Sequence, residues 1–322
     1  MSKDLKSKKY SKEQYLKWYE EMLLYRKFEE KASASYIQQK IRGFCHLYIG
    51  QEAIVAGYET VLGKGDSVIT TYRDHCQPIG RGTDPKIIMA ELFGKTSGIS
   101  KGRGGSMHMF DKEKHFYGGH GIVGNQIPMG AGIAFSEKYN NTGNVCLTYL
   151  GDGALRIGAF HEAVNISMFL KLPVIFIIEN NGYAMGTSVG RTSNVTELYK
   201  TGLSYDIPSE PVDAMNVIKV HRAVAALEQL PAPATNTHRL RRGQAPRVDV
   251  AASGWHGADR FGKDLQDRFR SRSLACCAAQ IAHDEFGGAC EPLAFPAPDP
   301  RGCRAVRSAV SVVLIGDRHR SS

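Results

Sequence analysis

The stretch NVCLTYLGDGALRIGAFHEAVNISMFLKLPVIFIIENN, residues 144–181, decides the fold of this chain. Near-continuous apolar segments at 144–150 and 173–180 enclose a segment with the spacing of a helix. Apolar strands that alternate with a helix are typical of a parallel sheet whose two faces are both covered by helices. The stretch therefore predicts an α/β fold with a doubly wound, mostly parallel sheet.

Oxygen-bearing side chains follow both predicted strands. Asp152 follows the first strand and Asn181 follows the second. A right-handed crossover brings the two strand ends to one edge of the sheet, where ligands of open α/β folds bind. Oxygen ligands suit Mg²⁺, which usually shares its ligands with a phosphate that Gly151 and Gly153 would let approach. The pattern predicts a magnesium-diphosphate site, with two ordinary turns as the alternative.

Patterns outside this stretch predict further elements of the same fold. Ser11 begins a capping-box pattern that predicts a long amphipathic helix. The residues expected on its buried face are Leu16, Tyr19, Leu23 and Phe28. The other expected elements are helices at 51–62, 85–94 and 125–140, a strand at 67–72 and a Gly-rich loop at 100–110.

A competing motif is formed by Gly119, Gly121 and Gly124, which satisfy the GxGxxG pattern of dinucleotide-binding folds. Residues 111–118 before it lack the pattern of a buried strand, and no acid ends a following strand to hold a ribose. The sequence also contains no GxxxxGK[ST] phosphate-binding loop. A dinucleotide-binding fold is therefore the weaker interpretation.

The composition excludes several classes of protein. With 42% hydrophobic residues in a chain of 322, a substantial core can form. No run approaches the roughly 18 apolar residues that span a bilayer, and neither a secretory signal nor a transit peptide is visible. The net charge of +9 is scattered, and the seven cysteines show no zinc spacing. We therefore expect no nucleic-acid partner and no membrane partner.

The composition changes abruptly near Arg222. All 14 tyrosines precede it, whereas residues 223–322 are rich in Ala, Arg and Pro and contain one lysine, Lys263. A second domain, a flexible extension, and an out-of-frame or fused sequence are the three interpretations, and the switch from lysine to arginine favours the last. We expect a cofactor-binding domain at 1–222 and an atypical tail at 223–322.

Further segments of the chain resemble one protein family. They are FCHLYIGQEA (44–53), TYRDH (71–75), SKGRGGSMHMF (100–110), HFYGGHGIVG (115–124) and ENNGYAMGTSVGR (179–191). Together with the GDG of 151–153, they resemble alpha subunits of the pyruvate dehydrogenase first component, from about residue 10 to residue 222. The resemblance implies a thiamine-diphosphate-binding fold in which this chain binds the diphosphate half of the cofactor.

The resemblance also implies which residues bind the cofactor and its metal. Mg²⁺ would be held by Asp152, Asn181 and the backbone carbonyl of Tyr183. The residues expected at the diphosphate are Tyr72, Arg73, Gly151, Gly153 and Ala154, together with Asn181.

The resemblance places a second set of residues near the aminopyrimidine and the reacting carbon. Gly121 and Val123 would line the aminopyrimidine side, the valine as an apolar support for the bent cofactor. The expected proton donors are His75, His108 and His120.

The resemblance implies an activity and partners. The family decarboxylates pyruvate, the product of glycolysis, and passes the acetyl group to a lipoyl carrier on an acetyltransferase core. A glutamate from a beta subunit completes the site in a heterotetramer of two alpha and two beta subunits. Bacterial cytoplasm is the expected location rather than the mitochondrial matrix. The alternatives are an acetoin or branched-chain 2-oxo acid dehydrogenase alpha subunit, or a catalytically incomplete interaction protein.

Two departures from the family pattern weaken the expected activity. Arg156-Ile157-Gly158 stands where the family has Asn-Gln-Gly. After residues 212–225, the helix, the strand and the Tyr-Arg-Gly-His-Ser segment of the family have no recognisable counterpart in the tail. We therefore expect an exposed sheet edge, weakened cofactor binding and little activity.

Overall fold

The structure is a computed structural model that describes residues 10–207 and 209–228, with the backbone of two short segments at 247–251 and 312–313. The α-helices are α1 (Lys12–Ile37), α2 (Glu52–Glu59), α3 (Cys76–Gly80), α4 (Pro85–Leu92), α5 (Gln126–Tyr139), α6 (Gly158–Phe169), α7 (Val189–Thr192) and α8 (Val217–Glu228). Short 3-10 helices cover Lys112–Lys114, Asp152–Arg156 and Leu198–Tyr205.

In the segments that the structure describes, nine strands form a large sheet and a small hairpin. They are β1 (Ser67–Thr71), β2 (Phe116–His120), β3 (Cys146–Gly151), β4 (Val174–Glu179), β5 (Tyr183–Ala184), β6 (Thr187–Ser188), β7 (Ser209–Asp213), β8 (Arg247–Ala251) and β9 (Val312–Val313). The large sheet has the order β2-β1-β3-β4-β8-β7-β9, and β5 pairs with β6. All pairs are parallel except those of β9 and the hairpin.

The sheet is doubly wound, as the sequence predicts. From β1 the chain adds β2 on one side, then returns to add β3 and β4 on the other. Strand order therefore reverses at β1, which is where open α/β sheets have their ligand crevice.

Both faces of the sheet are buried. Alternate side chains of β3 point to opposite faces, so Leu147 and Tyr149 join one hydrophobic cluster while Cys146 and Leu150 join the other. The first cluster includes α1 and α2, and the second includes α5 and α6. Burial on both faces explains why β3 and β4 are apolar at almost every position.

The long N-terminal helix begins as expected but buries a different face. The Ser11 hydroxyl accepts a hydrogen bond from the Gln14 N–H, which confirms the predicted cap. Leu16 and Tyr19, however, are 49% and 36% exposed. Phe28 is buried as predicted, but the rest of the buried apolar face lies one residue earlier, at Tyr15, Trp18 and Met22, and includes Tyr25. The aromatic residues determine this face because they bury more area than leucine does.

The segment before the GxGxxG motif is a strand, contrary to the prediction. Phe116–His120 pairs in parallel with β1, with Thr71 opposite His120. The strand is short and lies at the sheet edge, and the 3-10 turn Lys112–Lys114 precedes it. Because the polar residues of that turn lie directly before the short strand, the sequence pattern did not predict the strand.

The tail contributes to the sheet, which also differs from expectation. Helix α8 continues through residue 222, and Ala223 and Val224 are buried in the core. Strand β8 lies between β4 and β7 in parallel with both, so the prediction that no strand follows residue 222 is wrong. Apart from residues 223–228, 247–251 and 312–313, the predicted 223–322 tail lies outside the described residues.

Close contact between α5 and β3 generates a test of the fold. A Cβ on Gly130 would overlap the Thr148 hydroxyl of β3, whereas a Cβ on Gly132 meets nothing within 4 Å. Alanine is intrinsically better than glycine in a helix by about 1 kcal/mol. Gly130→Ala should nevertheless lower the free energy of unfolding by about 1–3 kcal/mol because the overlap forces strain into the core.

Gly132→Ala is the matched control on the same helix and should raise the free energy of unfolding by about 0.5–1 kcal/mol. Urea denaturation of the full chain measures both variants. Equal effects of the two substitutions would show that α5 does not pack on β3 in this way.

Candidate functional site

Four parallel strands end at one edge of the sheet and bring the predicted site residues together. Thr71 pairs with His120, so Tyr72 and Gly121 follow neighbouring strand ends. Gly151 pairs with Glu179 in the same way at the ends of β3 and β4. The strand ends therefore carry the tyrosine, the glycine and the two oxygen-bearing segments to one side of the sheet.

Asp152 begins the 3-10 helix after β3, and its side chain is buried at 7% exposure. Burial raises the pKa of Asp152, while the backbone N–H groups of Asp152 and Gly153 act in the opposite direction. A buried carboxylate whose charge is disfavoured gains from a nearby cation. The position therefore suits a metal ligand.

Asn181 and Tyr183 lie directly after β4. The Asn181 amide oxygen accepts a hydrogen bond from the Tyr183 N–H at 3.1 Å, which fixes a tight turn. A Cβ on Gly153 would come within 2.8 Å of the Ala184 Cβ, so the two strand-end segments are in contact. Gly151 has open space where a Cβ would stand, and Ala154 is buried.

The atoms at this edge that could bind a metal ion are oxygens. Within the part of the chain that the structure describes, no group of three or more His, Cys, Asp and Glu side chains could hold a metal ion. An ion here would need the Asp152 carboxylate, the Asn181 amide oxygen and backbone carbonyls, completed by phosphate oxygens. Such a set suits Mg²⁺ rather than zinc or copper.

Tyr72 and Arg73 follow β1 and are half-buried. The Arg73 guanidinium donates to the Leu47 carbonyl, and the His46 ring lies 4.5 Å from the Tyr72 ring. Burial and the positive charges of Arg73 and His75 lower the pKa of His46 to about 4. His46 is therefore a neutral imidazole at the site near pH 7.

His46 was missed in the sequence. It lies within the FCHLYIGQEA segment, but 26 positions separate it from Tyr72, and no periodic pattern connects the two. Only the fold of the chain brings their rings together.

His75 is not at the open part of the site. Its side chain is 0% exposed, Nδ1 donates to Glu29 Oε2 at 2.9 Å, and Nε2 lies 2.7 Å from Ser106 Oγ. Burial lowers the pKa of His75, but the Glu29 carboxylate opposes this and the net pKa is raised. A ring held by both nitrogens in the core does not fit the predicted role of a proton donor facing substrate.

His75 belongs to a buried hydrogen-bond network next to the candidate site. The Glu29 carboxylate also accepts from the Tyr48 N–H at 3.0 Å. The Tyr48 hydroxyl donates to Glu179, the last residue of β4, whose pKa is raised to about 7 by burial. Ser106 Oγ accepts a hydrogen bond from the backbone N–H of His46 at 3.0 Å. The network thus links α1 to two strand ends and to the His46 segment.

His120 is the last residue of β2, Gly121 and Val123 follow it, and the His108 ring lies against Gly121. A Cβ on Gly121 would lie 3.0 Å from the His108 ring, so the glycine permits this close approach. His120 is half-buried, and Nε2 donates to the Tyr117 carbonyl at 3.3 Å. Burial lowers the pKa of His120. Val123 is exposed beside these residues, and His108 is exposed as well.

Arg156, the departure from the family pattern, extends to another loop. Its Nε donates to Ser193 Oγ at 2.8 Å, and a terminal nitrogen donates to the Val195 carbonyl at 3.0 Å. The arginine therefore ties the 3-10 helix after β3 to the segment that follows α7.

Asp74 gives the site a testable pH dependence. Its carboxylate is fully buried against Gly119, and burial raises its pKa from 3.8 to about 7. The folded chain keeps this proton to a higher pH than the unfolded chain does. The free energy of unfolding should therefore fall as pH rises from about 4 to about 7, by on the order of 4 kcal/mol.

Asp74→Asn should remove this part of the pH dependence because the amide does not ionise. Urea denaturation at several pH values between 5 and 8 measures the difference between the variant and the original chain. The exposed Glu113→Gln is the control and should follow the original chain. A difference between Asp74→Asn and the original chain that is constant with pH would contradict the assignment.

Comparison with known proteins gives a consistent family. Residues 20–229 match the family described as "Dehydrogenase E1 component". The chain is 54% identical over 215 residues to the "Pyruvate dehydrogenase E1 component subunit alpha" of Rickettsia felis, covering 66% of each chain. It is 55% identical over 214 residues to the protein of that name from Rhizobium meliloti, covering 66% of this chain and 62% of the relative. The match thus spans slightly less than two thirds of these relatives.

A solved structure supports the fold at low sequence identity. Transketolase from Campylobacter jejuni superposes with a TM-score of 0.52 at 14% identity, covering 75% of this chain and 38% of that chain. The thiamine-diphosphate-binding fold expected from the sequence is confirmed. No helix in the described ranges is long and apolar enough to cross a membrane.

Proposed function

Because this chain belongs to the dehydrogenase E1 component family, we propose that it is the alpha subunit of a thiamine-diphosphate-dependent pyruvate dehydrogenase. With a beta subunit it decarboxylates pyruvate and passes the acetyl group to a lipoyl carrier, on the route to acetyl-CoA. The observation that carries the proposal is the meeting of Tyr72, Gly121 and Asp152 at one edge of a doubly wound sheet.

The residues at this edge fit the cofactor and its ion. Asp152, Asn181 and the carbonyl of Tyr183 would hold Mg²⁺, and the metal would share its remaining positions with the diphosphate. The free space at Gly151 and the small side chain of Ala154 leave the backbone accessible to a phosphate. When bound, the thiazolium of the cofactor supplies the carbon nucleophile and the electron sink for loss of CO₂.

Tyr72 and Arg73 would bind phosphate oxygens, one as a phenol donor and the other as a planar cation. Arg73 already contributes positive charge to the site, as the lowered pKa of His46 indicates. We assign the nearby neutral His46 a role in hydrogen bonding to the substrate. A neutral imidazole can donate through one nitrogen and accept through the other, so it can hold either a keto oxygen or a hydroxyl.

His108 and His120 are the remaining candidates for proton transfer on the substrate side. The His108 ring lies against Gly121, and His120 directly precedes that glycine, where the aminopyrimidine would approach and Val123 would support it. His75 has a positioning role instead, because Ser106 connects its ring to the backbone of His46.

A beta subunit would complete the site. Ile122 and Val123 are exposed apolar residues directly after Gly121, and Met129 is exposed on the helix that follows. Covering these residues would exclude water from the reacting atoms. The beta subunit would add the carboxylate that activates the aminopyrimidine, in a heterotetramer of two alpha and two beta subunits. The lipoyl-bearing acetyltransferase core is the further partner, and the bacterial cytoplasm is the location, as the bacterial relatives support.

Because the chain departs from the family pattern, two alternatives to an active pyruvate dehydrogenase subunit are tested below: an interaction-only homologue and a different substrate. The sequence after residue 228 lacks the Tyr-Arg-Gly-His-Ser segment, so we still expect weakened cofactor binding and little activity. This would make the chain an interaction-only homologue built on the binding domain at 1–222, with 223–322 as an out-of-frame or fused tail. Branched-chain 2-oxo acids and acetoin are the alternative substrates.

Asp152→Asn tests the metal ligand through binding alone. The variant should weaken Mg²⁺-dependent thiamine diphosphate binding at least about tenfold because a neutral amide replaces the anionic ligand. Isothermal titration calorimetry with and without Mg²⁺ measures the effect on the chain assembled with its beta subunit. Glu162→Gln, an exposed position on α6, is the control. Unchanged binding by Asp152→Asn would remove Asp152 from the metal site.

The activity itself is tested by co-expression with a beta subunit from a matching bacterial complex. We expect CO₂ release from pyruvate that requires both thiamine diphosphate and Mg²⁺, at a rate below that of a relative with the family C-terminus. A chimera that carries the family C-terminus after residue 228 should raise the rate. Faster turnover of branched-chain 2-oxo acids or acetoin than of pyruvate would assign one of them as the substrate instead. An inactive chimera would contradict the proposed function.

A further inference from the structure

Glu91 on α4 is a buried carboxylate that no expectation from the sequence included. It has 0% exposure and accepts four backbone hydrogen bonds from the Gly-rich loop. Oε2 accepts from the N–H groups of Ser100 and Gly102, each at 2.8 Å. Oε1 accepts from those of Gly104 at 2.7 Å and Gly105 at 3.1 Å. The loop thus closes around a single negative charge.

The glycines of this loop are required by that arrangement. A Cβ on Gly98 would overlap the Glu91 carboxylate, and a Cβ on Gly104 would overlap the His108 carbonyl. Gly102 has a φ of +75° and would place a Cβ 2.6 Å from the Gly94 carbonyl carbon. The Gly-rich composition of this loop therefore reflects close packing of backbone around a carboxylate.

The same loop carries two groups to the candidate site. The Ser100 hydroxyl donates to the His108 carbonyl at 2.9 Å, and His108 in turn lies against Gly121. Ser106, one residue after the last donor to Glu91, lies between the His75 ring and the His46 N–H. Any displacement of the loop would move His108 and Ser106 together.

We propose that Glu91 is a positioning residue that fixes the loop at 98–108 and so sets His108 and Ser106 at the site. It does not contact substrate, and its effect on the reaction rests on the proposed function. A carboxylate is needed because both of its oxygens only accept hydrogen bonds, and four N–H groups face them. In Glu91→Gln one oxygen becomes an NH₂ group, which would face two N–H donors.

Amide hydrogen exchange of the full chain tests the loop directly. In Glu91→Gln, exchange at Ser100, Gly102, Gly104 and Gly105 should accelerate about tenfold or more, while amides of β3 and β4 keep their protection. Glu113→Gln, an exposed carboxylate in the chain segment that follows the loop, should leave all of these amides unchanged. Glu91→Asp keeps the charge with a shorter reach and should give a smaller, equally local effect if Glu91→Gln does not fold.

The ring of His108 reports whether the loop positions the site. NMR of ¹³C-histidine-labelled chain, with His108 assigned from the spectrum of His108→Gln, should show a shifted His108 resonance in Glu91→Gln. The His161 resonance is the internal control because its ring bonds the Tyr205 hydroxyl on the other side of the sheet. An unchanged His108 resonance, or unchanged loop exchange, would overturn the proposal.

Turnover with the beta subunit separates this inference from the proposed function. Glu91→Gln should lower kcat for pyruvate at least tenfold with a smaller change in thiamine diphosphate affinity, since the metal ligands after β3 and β4 are untouched. Turnover equal to that of the original chain would overturn the positioning role. If the original chain is inactive, turnover is measured in the chimera that carries the family C-terminus. If the chimera is inactive as well, the proposed function fails, and exchange and the His108 resonance alone decide the role of Glu91.

Discussion

The parallel register of β1 to β4 is the constraint on which the candidate site depends. Thr71 opposite His120 and Gly151 opposite Glu179 bring four strand ends level with one another. Segments that are far apart in the chain, such as Tyr72 and Asp152, therefore meet without any direct bond between them. A shift of one residue in either pair would reverse the direction of the side chains at that strand end. The buried apolar residues on both faces of β3 and β4 prevent such a shift.

Several ionisable side chains are buried near this edge of the sheet. Glu29, Asp74, His75, Glu91 and Glu179 are all buried under or beside the site. Removing such groups from water is costly, and the cost is offset by hydrogen bonds to backbone N–H groups and by the pair between Glu29 and His75. These groups hold irregular segments in one conformation where no helix or strand could do so. The order of the loops around the site thus comes from carboxylates in the core.

The sequence was sufficient for the elements whose cause is local. Strands β3 and β4, the cap at Ser11 and the position of Asp152 directly after β3 followed from apolar patterns and strand ends. Prediction from the sequence failed for features that depend on tertiary contacts. The buried face of α1 is chosen by aromatic packing, β2 is supported by its neighbour β1, and His75 is withdrawn into the core by Glu29. His46 was missed because its contact with Tyr72 joins positions far apart in the chain. Glu91 was missed because a carboxylate that binds the backbone N–H groups of a loop leaves no periodic pattern in the sequence.

The position of β8 has a consequence for how the chain assembles during synthesis. Strand β7 is made before β8, yet β8 lies between β4 and β7 in the sheet. While the ribosome has not yet released residues 247–251, β4 has an open edge and β7 lacks its parallel neighbour. The part of the chain that carries every candidate ligand therefore emerges first and waits for a later segment. A chaperone that shields exposed strand edges would act on this chain in that interval.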